Sequence, residues 1–185
     1  MEQCTLNNLV DKAYRSAKQN GFYCDIQDPI NFVAAIHEEL SEAFRCWNKH
    51  QGWLIFEPKP DGVYFELTDA VIRMLSYCGH MGIELDMYDI DTDRPYTQSD
   101  LIDVILRSHQ ELSQYYDLIN TEYDEDDFRQ DIRDNLISGI MSRFIARIEL
   151  FIAQASEGTL DLQQLIKFKM NYNATRSRKH GGNEV

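Results

Sequence analysis

At 185 residues the chain has the length of one domain, or of a compact duplicated one, and can bury a real core. Its formal net charge of −13 repels a phosphate backbone and argues against a nucleic-acid polymer as partner. A small anion stays open if metal ions or a local basic patch offset the field.

Four prolines and nine glycines in a chain that is 43% hydrophobic favour long helices. In chain order, residues 3–20 read as an amphipathic helix closed by Asn20-Gly21. Pro29 opens a second helix to about residue 49, with Val33, Ile36, Leu40, Ala43, Phe44 and Trp47 at 3–4 spacing. Residues 50–62, rich in Gly and Pro, form a loop. A third helix spans about 63–81, with Leu67, Ala70, Val71, Met74, Leu75 and Cys78 inward. Residues 82–98 connect to further helices over about 99–119, 126–156 and 161–174, and a basic tail follows. The expected fold is an all-α helical bundle. Cys4, Cys24, Cys46 and Cys78 show no paired spacing and read as reduced thiols. The N-terminal stretch has no signal-peptide apolar region and no run reaches membrane-spanning length. A cytoplasmic protein without a membrane partner is therefore expected.

A faint repeat runs through the chain. His37-Glu38-Glu39-Leu40-Ser41-Glu42 ends at Asn48, and His109-Gln110-Glu111-Leu112-Ser113-Gln114 ends at Asn120; five of the twelve positions match. Gly82-Ile83-Glu84-Leu85-Asp86 has an echo in Gly158-Thr159-Leu160-Asp161. Two readings stand: an internal duplication giving an intrachain pseudo-dimer, or coincidence between amphipathic helices.

The chemistry concentrates in the second and third helices, which carry Glu38-Glu39-x-x-Glu42 and Glu66-x-x-Asp69. On a wheel with Leu40 at zero, Glu39 falls near about −100° and Glu42 near about −160°. With Leu67 at zero, Glu66 and Asp69 take the same two angles. Antiparallel packing by the apolar stripes would bring both pairs to one edge of the seam. Four carboxylates so placed repel strongly, and divalent cations relieve that repulsion. All-oxygen ligands select hard ions, Mg²⁺ or Mn²⁺. The bland alternative is a solvated acidic face forming surface ion pairs.

The order Glu-x-x-Glu, a 23-residue spacer and Glu-x-x-Asp resembles the signature of the MazG-like all-α NTP pyrophosphatases, a superfamily that includes dimeric dUTPases and phosphoribosyl-ATP pyrophosphatases. The segment from Lys169 through Tyr172, Asn173 and Arg176 to His180-Gly181 is similar to the tail of many such proteins. The likeness covers residues 30–80 and 167–182 and finds no anchor between about 90 and 160. It implies a helical bundle of that type. If the internal repeat is a duplication, residues 1–86 form the active half and 97–174 a degenerate second half, with 175–185 a basic tail. It also implies Mg²⁺, or Mn²⁺, on Glu39, Glu42, Glu66 and Asp69. The implied reaction hydrolyses a nucleoside triphosphate between the α- and β-phosphorus atoms, to monophosphate and pyrophosphate. Glu39 and Glu38 would serve catalysis, Glu38 by orienting water, although its wheel position near about 160° faces solvent.

Other residues carry two readings each. Arg73, one turn after Asp69, meets phosphate oxygens or balances the carboxylates. Trp47 packs in the core or stacks on a base at the pocket mouth, and Trp53 in the loop could also cap a base. His37 is a partly buried helix residue or a substrate contact. Lys169, Asn173, Arg176 and His180 form a phosphate clamp or only temper the net charge. In a duplicated chain Gln114 stands for Glu42, while Ile140 and Arg143 stand for Glu66 and Asp69, so the second half would lack its acids. A pseudo-dimer can act alone or pair again as a homodimer. Asp89-x-Asp91-x-Asp93 with Asp100 mimics a calcium loop, but Arg94 stands where that loop needs Gly. The acidic run 122–127 reads as a solvated helix start.

Overall fold

A computed structural model describes residues 3–23, 28–86, 90, 92–121 and 127–175, with only the backbone of 3–5 and 127–130. Six α-helices account for most of them: α1 (Gln3–Gln19), α2 (Pro29–Asn48), α3 (Val63–Met81), α4 (Leu101–Asn120), α5 (Asp127–Ala155) and α6 (Leu162–Ala174). A single 3₁₀ turn, Gln98–Asp100, leads into α4. Among the described residues the only β feature is one isolated bridge, Ile55 with Asp61, so the expected all-α fold is met. No described helix is long and apolar enough to cross a membrane.

The helix ends follow from local chemistry. The Asp28 carboxylate accepts from the Ile30 N–H at 3.0 Å, and Pro29 occupies a first-turn position that has no N–H to satisfy. Asp161 caps α6 by accepting from the Gln163 and Gln164 N–H groups. Gly82, in the left-handed region at φ 69°, closes α3.

α3 is the central element. α2 and α1 both pack along it, α5 and α6 also touch it, and α4 packs on α5 and α2. Its inward side chains Phe65, Leu67, Ala70, Val71, Leu75 and Cys78 are fully buried. The α2–α3 pair runs antiparallel. Cys46 lies beside Asp61 at the entrance to α3, and Glu39 meets Arg73 further along it. α4 and α5 repeat the arrangement: Ile119 lies near Arg133, and Glu111 meets Arg147. One wheel assignment differs: Phe44, placed on the apolar stripe, is 40% exposed and lies against Trp47. At about 40° from Leu40 it sits at the edge of a stripe that α3 covers only along its centre.

Two glycines are needed for close approach. Gly79 lets α1 sit directly on α3, since an added Cβ would stand 2.7 Å from Tyr14 Cβ and 3.2 Å from the Val10 carbonyl. Gly79→Ala is expected to cost about 1–3 kcal/mol, read as a lower melting temperature. Unchanged melting would show that α1 shifts freely. Gly62 has φ 100° and only 3.0–3.1 Å between an added Cβ and the Gly52 and Trp53 backbone. The loop folds back there, and the Gly52 and Trp53 carbonyls accept from the Val63 and Tyr64 N–H groups of the first turn of α3.

Candidate functional site

The α2–α3 seam delivers the four acids to one cavity of about 270 Å³. Glu39 and Glu42 come from α2, and Glu66 and Asp69 from α3. Oxygens of Glu39, Glu42 and Glu66 lie within 4.8 Å of one another, a spacing that fits a shared cation. Asp69 stands beside them with one oxygen 2.7 Å from Lys169 Nζ, brought in by α6. Matched wheel positions on antiparallel helices therefore meet as the pattern requires.

The cluster's electrostatics ask for positive charge. Glu39 and Glu66 are buried, at 7% and 6% exposure. Burial, with the Asp69 carboxylate close by, pushes Glu66 up to about 8. Burial also raises Glu39 against the opposing pull of Arg73, and raises Asp69 against that of Lys169. Arg73 Nε donates to Glu39 at 2.5 Å, and Lys169 Nζ donates to the Pro60 carbonyl at 3.2 Å as well as pairing with Asp69. Lys59, from the loop, also reaches the cavity wall. A hard divalent cation fits the donor set, which is all oxygen.

The other end of the cavity is apolar. Phe22, Tyr23 and Phe32 line it with Ala13, Ala17 and Ile72, while Ser16, Asn20 and Ser76 add polar groups. Tyr23 stacks on Phe32 at 5.0 Å between ring centroids and shares a 2.6 Å hydrogen bond with Ser76. Phe32 precedes Glu39 by two turns of α2, about 10 Å along the axis and on the same face. Charged and aromatic ends are thus about a nucleoside's length apart.

Several candidate residues stand elsewhere. Glu38 is exposed and outside the cavity wall, as its solvent-facing wheel position requires. His37 points to α4, where its Nδ1 lies 2.6 Å from His109 Nδ1 and the rings stack. Burial holds both imidazoles below their ordinary range, and one ring nitrogen donates to the other. Trp47 is half-buried against Phe44, and Trp53 packs on Tyr64 and Phe151. Neither tryptophan lines the cavity. Lys169 and Asn173 do line it, whereas Arg176 and His180 lie outside the described residues. Asp89 and Asp91 of the calcium-like run, and residues 122–126 of the acidic run, also lie outside them; Asp100 pairs with Arg94 and caps the turn at Thr97.

Sequence reasoning missed Lys59, Asn20, Phe22, Tyr23, Phe32 and Ser76. Phe32 was legible, being two turns before Glu39 on one face. Phe22 and Tyr23 follow a helix stop, and only the docking of α1 on α3 brings them in.

Comparison with known proteins adds no relative: no family model matches the chain, and no curated protein or solved structure matches it.

Proposed function

We propose that this chain is a Mg²⁺- or Mn²⁺-dependent nucleoside triphosphate pyrophosphohydrolase, of the helical architecture that the acid motif resembles. The observation that carries the reading is one cavity with four carboxylates and three basic side chains at one end and aromatic rings at the other. Glu39, Glu42, Glu66 and Asp69 would hold the cations. Bound there, such cations would neutralise phosphate charge and lower the pKa of a water. Arg73, Lys59 and Lys169 orient the triphosphate and meet charge developing on its oxygens. Glu39 is fixed by Arg73 and has an oxygen within 4.8 Å of those of Glu42 and Glu66. Water adds at the α-phosphorus, the bond to the bridging oxygen breaks, and monophosphate, pyrophosphate and a proton leave. Phe32 and Tyr23 receive the base, and the site takes no polymer.

A panel of canonical and modified dNTPs and NTPs with Mg²⁺, read for pyrophosphate, tests this. Absence of turnover together with nucleotide binding would favour a second reading, a nucleotide-binding or interaction protein of the same fold without catalysis. Phe32→Ala is expected to raise KM about tenfold with Mg²⁺ binding unchanged, since base–aromatic stacking contributes about 1–3 kcal/mol. A KM within twofold of wild type would remove the ring from the base site.

The same reading includes an internal duplication. α2 and α4 are both 20 residues long, and His37 touches His109, its own equivalent 72 positions on, as residues near a twofold axis do. Ser41 donates to the His37 carbonyl as Ser113 donates to that of His109. This supports a pseudo-dimer within one chain.

A further inference from the structure

The second helical pair contains a charged cluster that the proposed reaction does not use. Glu111 on α4 is 4% exposed and accepts from Arg147 Nη2 of α5 at 2.6 Å. Arg143 Nε stands 3.2 Å from the same carboxylate oxygen. In register, Glu111 is Glu39 and Arg147 is Arg73, and the Glu39–Arg73 ion pair recurs between the two copies. The other three acids do not recur. Gln114 stands for Glu42, Ile140 for Glu66 and Arg143 for Asp69.

Replacing a carboxylate by a guanidinium changes the local charge by two. With two further acids replaced by neutral groups, the surviving Glu111 meets cations supplied by the chain itself. Ile140 is 6% exposed and offers no oxygen at the register position of Glu66. Glu111 Oε1 faces two guanidinium groups while its Oε2 is buried without a hydrogen bond among the described residues, and a divalent cation there would meet the like charge of both arginines.

We infer that α4 and α5 carry a latent metal site, a second copy of the acid cluster in which Arg143 and Arg147 stand in for the divalent cation. The chain thus has one cation centre, and its other half keeps the same seam closed by an internal salt bridge. The inference rests on the cation reading of the α2–α3 site.

The test counts Mn²⁺ bound per full-length chain by electron paramagnetic resonance. Glu39→Gln is expected to weaken binding at least about tenfold. Adding Gln114→Glu, Ile140→Glu and Arg143→Asp to that variant should restore Mn²⁺ binding through the second half. A folded variant, judged by helical circular dichroism, that regains no Mn²⁺ overturns the inference. Glu111→Gln in the otherwise natural chain decides the matter even if the reversed variant does not fold. Bound Mn²⁺ should stay at the natural count while the melting temperature falls. Loss of bound Mn²⁺ in Glu111→Gln, or an unchanged melting temperature, overturns the inference. A natural chain that binds no Mn²⁺ removes the α2–α3 reading along with this one, whereas normal binding with no gain on reversal removes only this one.

Discussion

Glu39→Gln is expected to lower pyrophosphate release by at least about 10²-fold, since even supporting residues around metal ligands are worth about 10–100-fold. The amide keeps an oxygen for Arg73 while weakening the cation site, so the helical fold should persist. Asp69→Ala should cost as much turnover and also stability, for a reason absent from the sequence. Lys169 is 5% exposed and pairs with Asp69 at 2.7 Å. Removing the carboxylate leaves a buried ammonium held by the Pro60 carbonyl and the face of the Phe65 ring. Breaking a buried pair in this way costs about 3–5 kcal/mol. Adding Lys169→Met to Asp69→Ala should recover most of the melting temperature and none of the turnover. That split separates the metal role from the structural one. Full turnover in either single variant would end the proposed mechanism.

A second large effect concerns pH. Glu66 shifts from an ordinary 4.5 to about 8 in the fold, first by burial and then through the neighbouring Asp69 carboxylate. Its folded pKa lies above its unfolded one. The folded, cation-free chain therefore holds a proton that the unfolded chain releases between about pH 4.5 and 8. The associated stability is fully present below about 4.5 and is lost as pH rises through about 8. Mg²⁺ on the proposed site would compete with that proton. Its affinity should rise about tenfold per pH unit between pH 6 and 7, with about one proton released per site filled, and level off above 8. Thermal melts at pH 6 and pH 8, with and without Mg²⁺, check both halves. The stabilisation by Mg²⁺ should be larger at pH 8. Calorimetry in buffers of different ionisation enthalpy counts the protons. An affinity independent of pH across this window would show that Glu66 is ionised without the metal. A Glu66→Gln variant should lose the part of the metal-free pH dependence that Glu66 contributes up to about pH 8.

The position of Lys169 gives both results a common basis. While no cation is bound, its ammonium holds Asp69, and Arg73 holds Glu39. Each α3 carboxylate of the cluster thus has its own means of tolerating burial: a basic partner for Asp69 and a proton for Glu66. The second half uses only the first means, with two arginines on Glu111. The paired buried carboxylates in this fold are each met by a basic side chain from another helix.

By itself the sequence determined the all-α class, the helix bounds to within a residue or two, and the shared face of the four acids. These are local properties: caps such as Asp28, stops such as Gly82, and a 3.6-residue period that places Glu39, Glu42, Glu66 and Asp69 at matched angles. The resemblance supplied Lys169 and Asn173, and both line the cavity. Only the tertiary structure decided which faces meet across the chain. It turned His37 to His109 and Trp47 to Phe44, away from the cavity, and brought Phe22 and Tyr23 of the α1 end to it. It also revealed that Glu111 repeats the ion pair of Glu39 at a comparable distance. A wheel gives the angle of a side chain on its own helix; the neighbour it meets depends on how separate helices pack, and no local period encodes that.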